Sequence, residues 1–149
     1  MEEDERRTLM ALLQYQRSSL VDKVSGVSDE AARRPMVTSG TSLLWLVQHL
    51  TRAEGLWIVC RFAAEDAVLP CDTVDPTDSV ADAVDGYRWA WSRTDRIIAA
   101  SGLDESCRGL GDESPVNLRW VLAHLLEETA RHAGHADILR ELIDGSTGR

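Results

Sequence analysis

Glu128 and His132 stand four residues apart near the end of the chain, with His124 four residues before them and His135 three after. A carboxylate and imidazoles at this spacing lie side by side on one face of a helix, which is why ExxxH and HxxxH pairs recur as metal-binding units. At about 100° per residue, Trp120, Val121, His124, Glu128, His132, His135, Leu139 and Leu142 fall within an arc of roughly 120°. The stripe is apolar at its ends and ionisable in its middle. On a face turned into a small bundle, such groups are costly unless they are paired or coordinate a metal. The chemistry to look for is therefore a metal site.

A rise of about 1.5 Å per residue puts His124 and His132 about 12 Å apart along the axis, so only neighbours can share an ion. The possible pairs are His124 with Glu128, Glu128 with His132, and His132 with His135. A third ligand must come from another helix, and His49 is the one remaining histidine. The most economical site is His49, Glu128 and His132. Three protein ligands with an open position is the arrangement of a catalytic metal. The set contains no thiolate and suits Zn or Ni first, with Fe(II) or Mn as alternatives. His124 and His135 then hydrogen-bond the ligands or line the pocket, or serve as alternative ligands. The plainer readings are a satisfied core histidine at His49, and Glu127 and Glu128 paired with Arg131 on a solvated face. Arg131 and Arg140 could orient an anionic substrate or simply form surface ion pairs.

Four helical segments must position these groups. The first runs from about Asp4 to Val24, with Leu9, Leu12, Leu13, Leu20 and Val24 facing inward. Ser28 caps a short helical turn before Pro35. The second starts at Thr41 or Ser42, runs to about Ala64 and turns Leu46, His49, Leu50, Ala53 and Trp57 inward. The third spans about Ser79 to Ala100, with Val80, Val84, Tyr87, Trp91, Thr94 and Ile98 on its apolar side. Gly86 in its interior costs about 1 kcal/mol against Ala, which predicts a packing reason for it. A loop over Ser101–Val116 carries Gly102, Gly109, Gly111 and Pro115. The last helix runs from an Asn117 cap to Asp144, with Gly145 as its C′ residue. No segment alternates with period 2 for long enough to make a strand. The expected fold is all-α, a four-helix bundle with longer connections in a single domain over residues 1–149.

Trp45, Trp57, Trp91 and Trp120 are assigned to the core. Trp89 and Trp91 cannot both face inward, which leaves one for a helix boundary or a homodimer contact. The net charge of −9 argues against nucleic acid or an anionic membrane as partner. MEEDERR has no apolar h-region and no run approaches a membrane span, so a cytoplasmic location is expected. Cys60, Cys71 and Cys107 are odd in number and contain no CxxC, which reads as reduced thiols.

The segments Leu46–Trp57 and Leu118–Arg140 resemble the second and last helices of the DinB-like superfamily, and the likeness runs over nearly the whole chain in helix order. That family takes one metal-binding histidine from the second helix and an HxxxH pair from the last. His49 matches the first and His132 the end of the pair, while Glu128 departs from the pattern. In this the chain is similar to mycothiol-dependent maleylpyruvate isomerase, a relative that uses a glutamate there. The resemblance implies a low-molecular-weight thiol such as mycothiol as cosubstrate, in thiol transfer or thiol-assisted isomerisation of a small electrophile. A non-catalytic bundle that binds a metal or a small ligand is the alternative, and a metal-free scaffold is the third reading.

Overall fold

The computed structural model describes residues 1–110 and 116–148. Gly111 and Pro115 of the expected loop lie outside the described residues. Among the described residues five α-helices account for the fold: α1 (Glu2–Val24), α2 (Asp29–Arg33), α3 (Leu43–Glu54), α4 (Val80–Ala99) and α5 (Leu118–Asp144). The expected all-α bundle is what forms, with α1, α3, α4 and α5 as its four long members. Capping marks the starts. The side chains of Ser28, Ser42, Ser79 and Asn117 each accept a backbone N–H from the first turn that follows. Gly145 closes α5 in the left-handed conformation, φ 75°, and its N–H donates to the Glu141 carbonyl. Among the described residues no helix is long and apolar enough to cross a membrane.

α1 lies parallel to α5: Arg119 bonds Glu5 at one end, and Arg140 bonds the Lys23 carbonyl at the other. α3 and α4 run the opposite way, joined by the connection over 63–79, so the order is up, down, down, up. The core is split in two. One cluster gathers Leu20, Val24, Leu46, Leu50, Val84, Tyr87 and Leu139, and the other gathers Leu13, Ile58, Phe62, Ile98, Leu122 and Leu125. Between them lies a buried polar layer with one residue from each long helix: Arg17, Glu54, Thr94 and Thr129. Arg17 donates two bonds of 2.7 Å to the Glu54 carboxylate, and the Thr94 hydroxyl donates a third at 2.9 Å. A further guanidinium nitrogen reaches Asp95 at 2.9 Å. Burial pushes the Glu54 carboxyl up, while Arg17 and Thr94 pull it back.

Several expectations are corrected. α1 buries Leu13, Arg17, Leu20, Val21 and Val24 and leaves Leu12 exposed. The second helix does not stay α-helical to its end. After Glu54 it continues as a π-helical segment, Gly55–Phe62, whose end is marked by the Ala63 N–H donating to the Ile58 carbonyl five residues back. On α5 the buried face is Leu118, Leu122, Leu125, Thr129, Ala133 and Ala136, with Val121 and Leu139 at its edge. It is rotated by about one residue step, roughly 100°, from the histidine stripe. Leu142 and Trp120 are correspondingly exposed, and His135 is exposed too. The small residues Thr129, Ala133 and Ala136 let α1 pack closely, while the ionisable groups stay at the rim, where desolvation is cheaper. Gly86 has no steric reason, because a Cβ there would meet nothing within 4 Å. Trp89 faces solvent while Trp91 packs on Tyr87, so the two do face apart.

The segment before α5 is anchored to the π-helical end. The Gly109 N–H donates to the Arg61 carbonyl at 2.8 Å and the Arg108 N–H to the Phe62 carbonyl at 3.1 Å. A Cβ on Gly109 would stand 2.2 Å from the Cys60 carbonyl oxygen, which is backbone and cannot swing away. Gly109→Ala is expected to cost about 1–3 kcal/mol in a urea unfolding titration, the range for forcing extra atoms into a packed site. A cost below about 0.5 kcal/mol would show that this contact is loose.

Candidate functional site

His49 sits on the side of α3 that faces α5, on the apolar run begun by Leu46 and continued by Leu50. Glu128 and His132 stand across from it on the rim of α5. The His49 Nε2 lies 2.8 Å from Glu128 Oε1, and His132 Nε2 lies 3.4 Å from the same oxygen. One donor atom from each of the three residues fits within 4.8 Å of the other two. Among the described residues no fourth Cys, Asp, Glu or His joins this group. The side chains are only partly exposed, His132 at 13% and Glu128 at 23%.

The surroundings fix these groups in orientation. The Trp45 indole stacks on the His49 ring at 4.7 Å and 14°, and meets His132 edge-on. Trp45 is itself held by its N–H donating to the Asp72 carbonyl at 2.9 Å, which ties the 63–79 connection to the site. His132 Nδ1 lies 3.1 Å from His135 Nδ1, so the Nε2 side of His132 is the one directed at Glu128 and His49. Burial works against charge on Glu128, but the His49 hydrogen bond and the nearby imidazoles hold its carboxyl below the usual value. Burial and the neighbouring His49 lower His132 below the ordinary imidazole value. Both shifts favour the protonation states that ligate metals, carboxylate and neutral imidazole. Two nitrogens and one carboxylate oxygen within reach of one point are also a donor set that suits a divalent ion.

His124 does not join the triad. It lies between Trp120, which stacks on it at 5.0 Å and 9°, and Trp57, which meets it at 4.7 Å and 62°. Beyond His132, a cavity of about 340 Å³ opens between His135, Ile138 and Leu139 on one side and Val37, Ser39 and Thr41 on the other.

Comparison with families of known proteins adds one decisive observation. The model of the family described as mycothiol S-transferase matches residues 8–145. The chain belongs to the mycothiol S-transferase family. Its DinB-like character follows from that membership. A solved structure, a conserved protein from Enterococcus faecalis, is similar in fold. Its TM-score is 0.69 at 16% identity, over 94% of this chain and 97% of that one. Comparison with curated proteins gives no match.

In this S-transferase family member the remaining candidates lie apart. Arg131 is on the outer face of α5, paired with Glu127 at 2.6 Å. Arg140 bonds Asp144 and the Lys23 and Ser25 carbonyls, tying α5 to the end of α1. The thiols Cys60 and Cys107 are half-buried and Cys71 is exposed. Burial raises the Cys107 thiol above its ordinary value, which argues against a resident thiolate there. Sequence reasoning missed Trp45 as the plate behind His49. The signal was available, since Trp45 and His49 are four residues apart on one helix face.

Proposed function

We propose that this chain is a metal-dependent S-transferase in which His49, Glu128 and His132 hold one divalent ion and a low-molecular-weight thiol, mycothiol first, is the nucleophile. The observation that carries this reading is the convergence of three donors at the open rim of the α3–α5 seam. A fourth protein donor would close the sphere, and three leave room for a cosubstrate. A divalent ion held there would lower the pKa of a bound thiol. The protein's own residues supply the rest. Trp45 and His135 fix the two imidazole rings, and the open cavity beside His135 and Ile138 offers an apolar wall to a small electrophile.

The test is spectroscopic. Mycothiol added to Co(II)-substituted protein is expected to perturb the visible bands, and monochlorobimane is expected to be conjugated faster by metal-loaded than by metal-free protein. Unchanged bands and equal rates with mycothiol, bacillithiol and glutathione would sink the proposal. They would favour the second reading, a non-catalytic bundle that binds a small ligand. One observation supports that alternative: His49 Nε2 and Glu128 Oε1 pair directly with each other at 2.8 Å.

A further inference from the structure

Gly86 lies inside α4, where a glycine lowers helix stability, yet no neighbour forbids a side chain there. What it borders is open space. A cavity of about 250 Å³ runs along the seam between α4 and α3 with its π-helical end. Gly55, Val59, Trp89 and Ala90 form its walls, and Val68 and Leu69 of the 63–79 connection form its roof. A second cavity, of about 380 Å³, lies toward the start of α4 between Gln48, Thr77, Asp78, Ser79 and Asp82. Thr51, Pro70 and Gly86 border both, so the two adjoin at Gly86. The roof is tied down at each end. Arg52 donates to the Pro70 carbonyl at 2.9 Å, and Arg93 donates to the Asp66 carbonyl at 2.9 Å and to Glu65 at 3.1 Å. A Cβ on Gly55 would stand 2.6 Å from Leu69, so the missing side chain lets the roof come down on the helix. Thr51 leaves α3 about 200° round the helix from His49, which puts the seam on the far side of α3 from the triad.

We propose that this seam binds a small aromatic amine, its ring in the apolar cavity and its ammonium at the other end, with Gly86 as the gap that joins them. The two ends differ in chemistry. The first is walled by Val59, Leu69, Ala90 and the Trp89 indole, and the charge of Arg93 at its margin is offset by Glu65. An apolar cavity of about 150 Å³ holds benzene, so one of this size takes two fused rings, with Trp89 to stack on. At the second end the carboxylates of Asp29, Asp75, Asp78 and Asp82 gather about the first turn of α4. They outnumber the Arg33 guanidinium, which donates to the Asp78 carbonyl at 2.7 Å. The N–H groups there that would draw an anion are taken, that of Val80 by Asp29 at 2.8 Å and that of Asp82 by Ser79 at 3.1 Å. Gln48 also borders this end, and its side-chain oxygen is buried without a partner among the described residues. An ammonium only donates hydrogen bonds and carries positive charge, which is what these acceptors lack.

The test is calorimetric and uses metal-free protein, so that the amine has no ion to ligate. Naphthylethylamine is expected to saturate the protein with a Kd below about 1 mM, within reach of a ligand of this size. Naphthylacetate, with the same rings and the opposite charge, is expected to bind at least about tenfold more weakly. Gly86→Leu closes the join and is expected to weaken the amine by at least about tenfold. Leucine is the better helix former, so the melting temperature of this variant should not fall. Asp82→Asn is expected to weaken the amine about two- to fivefold, the range for an exposed charge pair, and to leave the uncharged naphthylethanol unaltered. His132→Ala should leave amine binding as it is. No saturation below about 1 mM, equal affinity for the amine and the acetate, or binding untouched by Gly86→Leu would each overturn the site. A loss in His132→Ala would overturn it too, by moving the amine to the triad.

Discussion

Arg17→Met is expected to destabilise the protein by about 3–5 kcal/mol, because it leaves the Glu54 carboxylate buried without its counter-charge. Both side chains are fully buried and joined by two bonds of 2.7 Å. Thr94 alone cannot replace a guanidinium. Native proteins of this size have roughly 5–15 kcal/mol in total, so the variant should sit near the edge of folding. Replacing both partners, Arg17→Met with Glu54→Leu, should recover most of the loss, since a well-packed apolar pair avoids the desolvation cost. Urea titrations with matched m-values would measure both. A single-variant cost below about 1 kcal/mol, or a double variant no better than the single, would show that water reaches this layer.

The second large effect concerns the metal. Gently purified protein is expected to carry a single divalent ion per chain, and His132→Ala is expected to lose it. Glu128→Gln should lower affinity by more than about 100-fold. Glu127→Gln should do little, because Glu127 points outward to Arg131. His135→Ala should fall between, at roughly 10–100-fold, the usual cost of removing a group that orients a metal-binding histidine. Elemental analysis and competition with a chelating dye give the numbers. Equal affinities for wild type and His132→Ala would remove these residues from consideration as ligands, and a larger loss in Glu127→Gln than in Glu128→Gln would mean the wrong carboxylate had been chosen.

The helices and their caps were legible in the sequence because Ser42, Ser79, Asn117 and Gly145 announce boundaries chemically. The convergence of His49, Glu128 and His132 was legible because helical spacing places them on facing sides of two elements. The rotation of α5 was not. A stripe containing both large apolar and ionisable residues looks inward by hydrophobic count, and only packing against α1 reveals that Thr129, Ala133 and Ala136 are the better fit. Arg17 could have been found. It lies on the Leu13, Leu20, Val24 face at helical spacing, and a charged group in such a run asks for a partner. The π-helical turn after Glu54 left no mark, since Gly55–Phe62 is as compatible with an α-helix by propensity.

The parallel pairing of α1 with α5 has a consequence for how the chain is made. Glu5 and Arg119, which clasp one end of that pair, are 114 residues apart. At a synthesis rate of about 5–20 residues per second, α1 waits roughly 6–25 s for its main partner to emerge. During that interval Leu13, Leu20 and Val24 can meet only α3, its π-helical end and α4, and Arg17 stays hydrated until Glu54 appears. Contacts this distant also make folding slow for an all-helical protein, whose partners are usually close in the chain. Part of the apolar face of α1 therefore stays uncovered until the last helix arrives, and the four acidic residues of its first turn add like charge that opposes association with other chains.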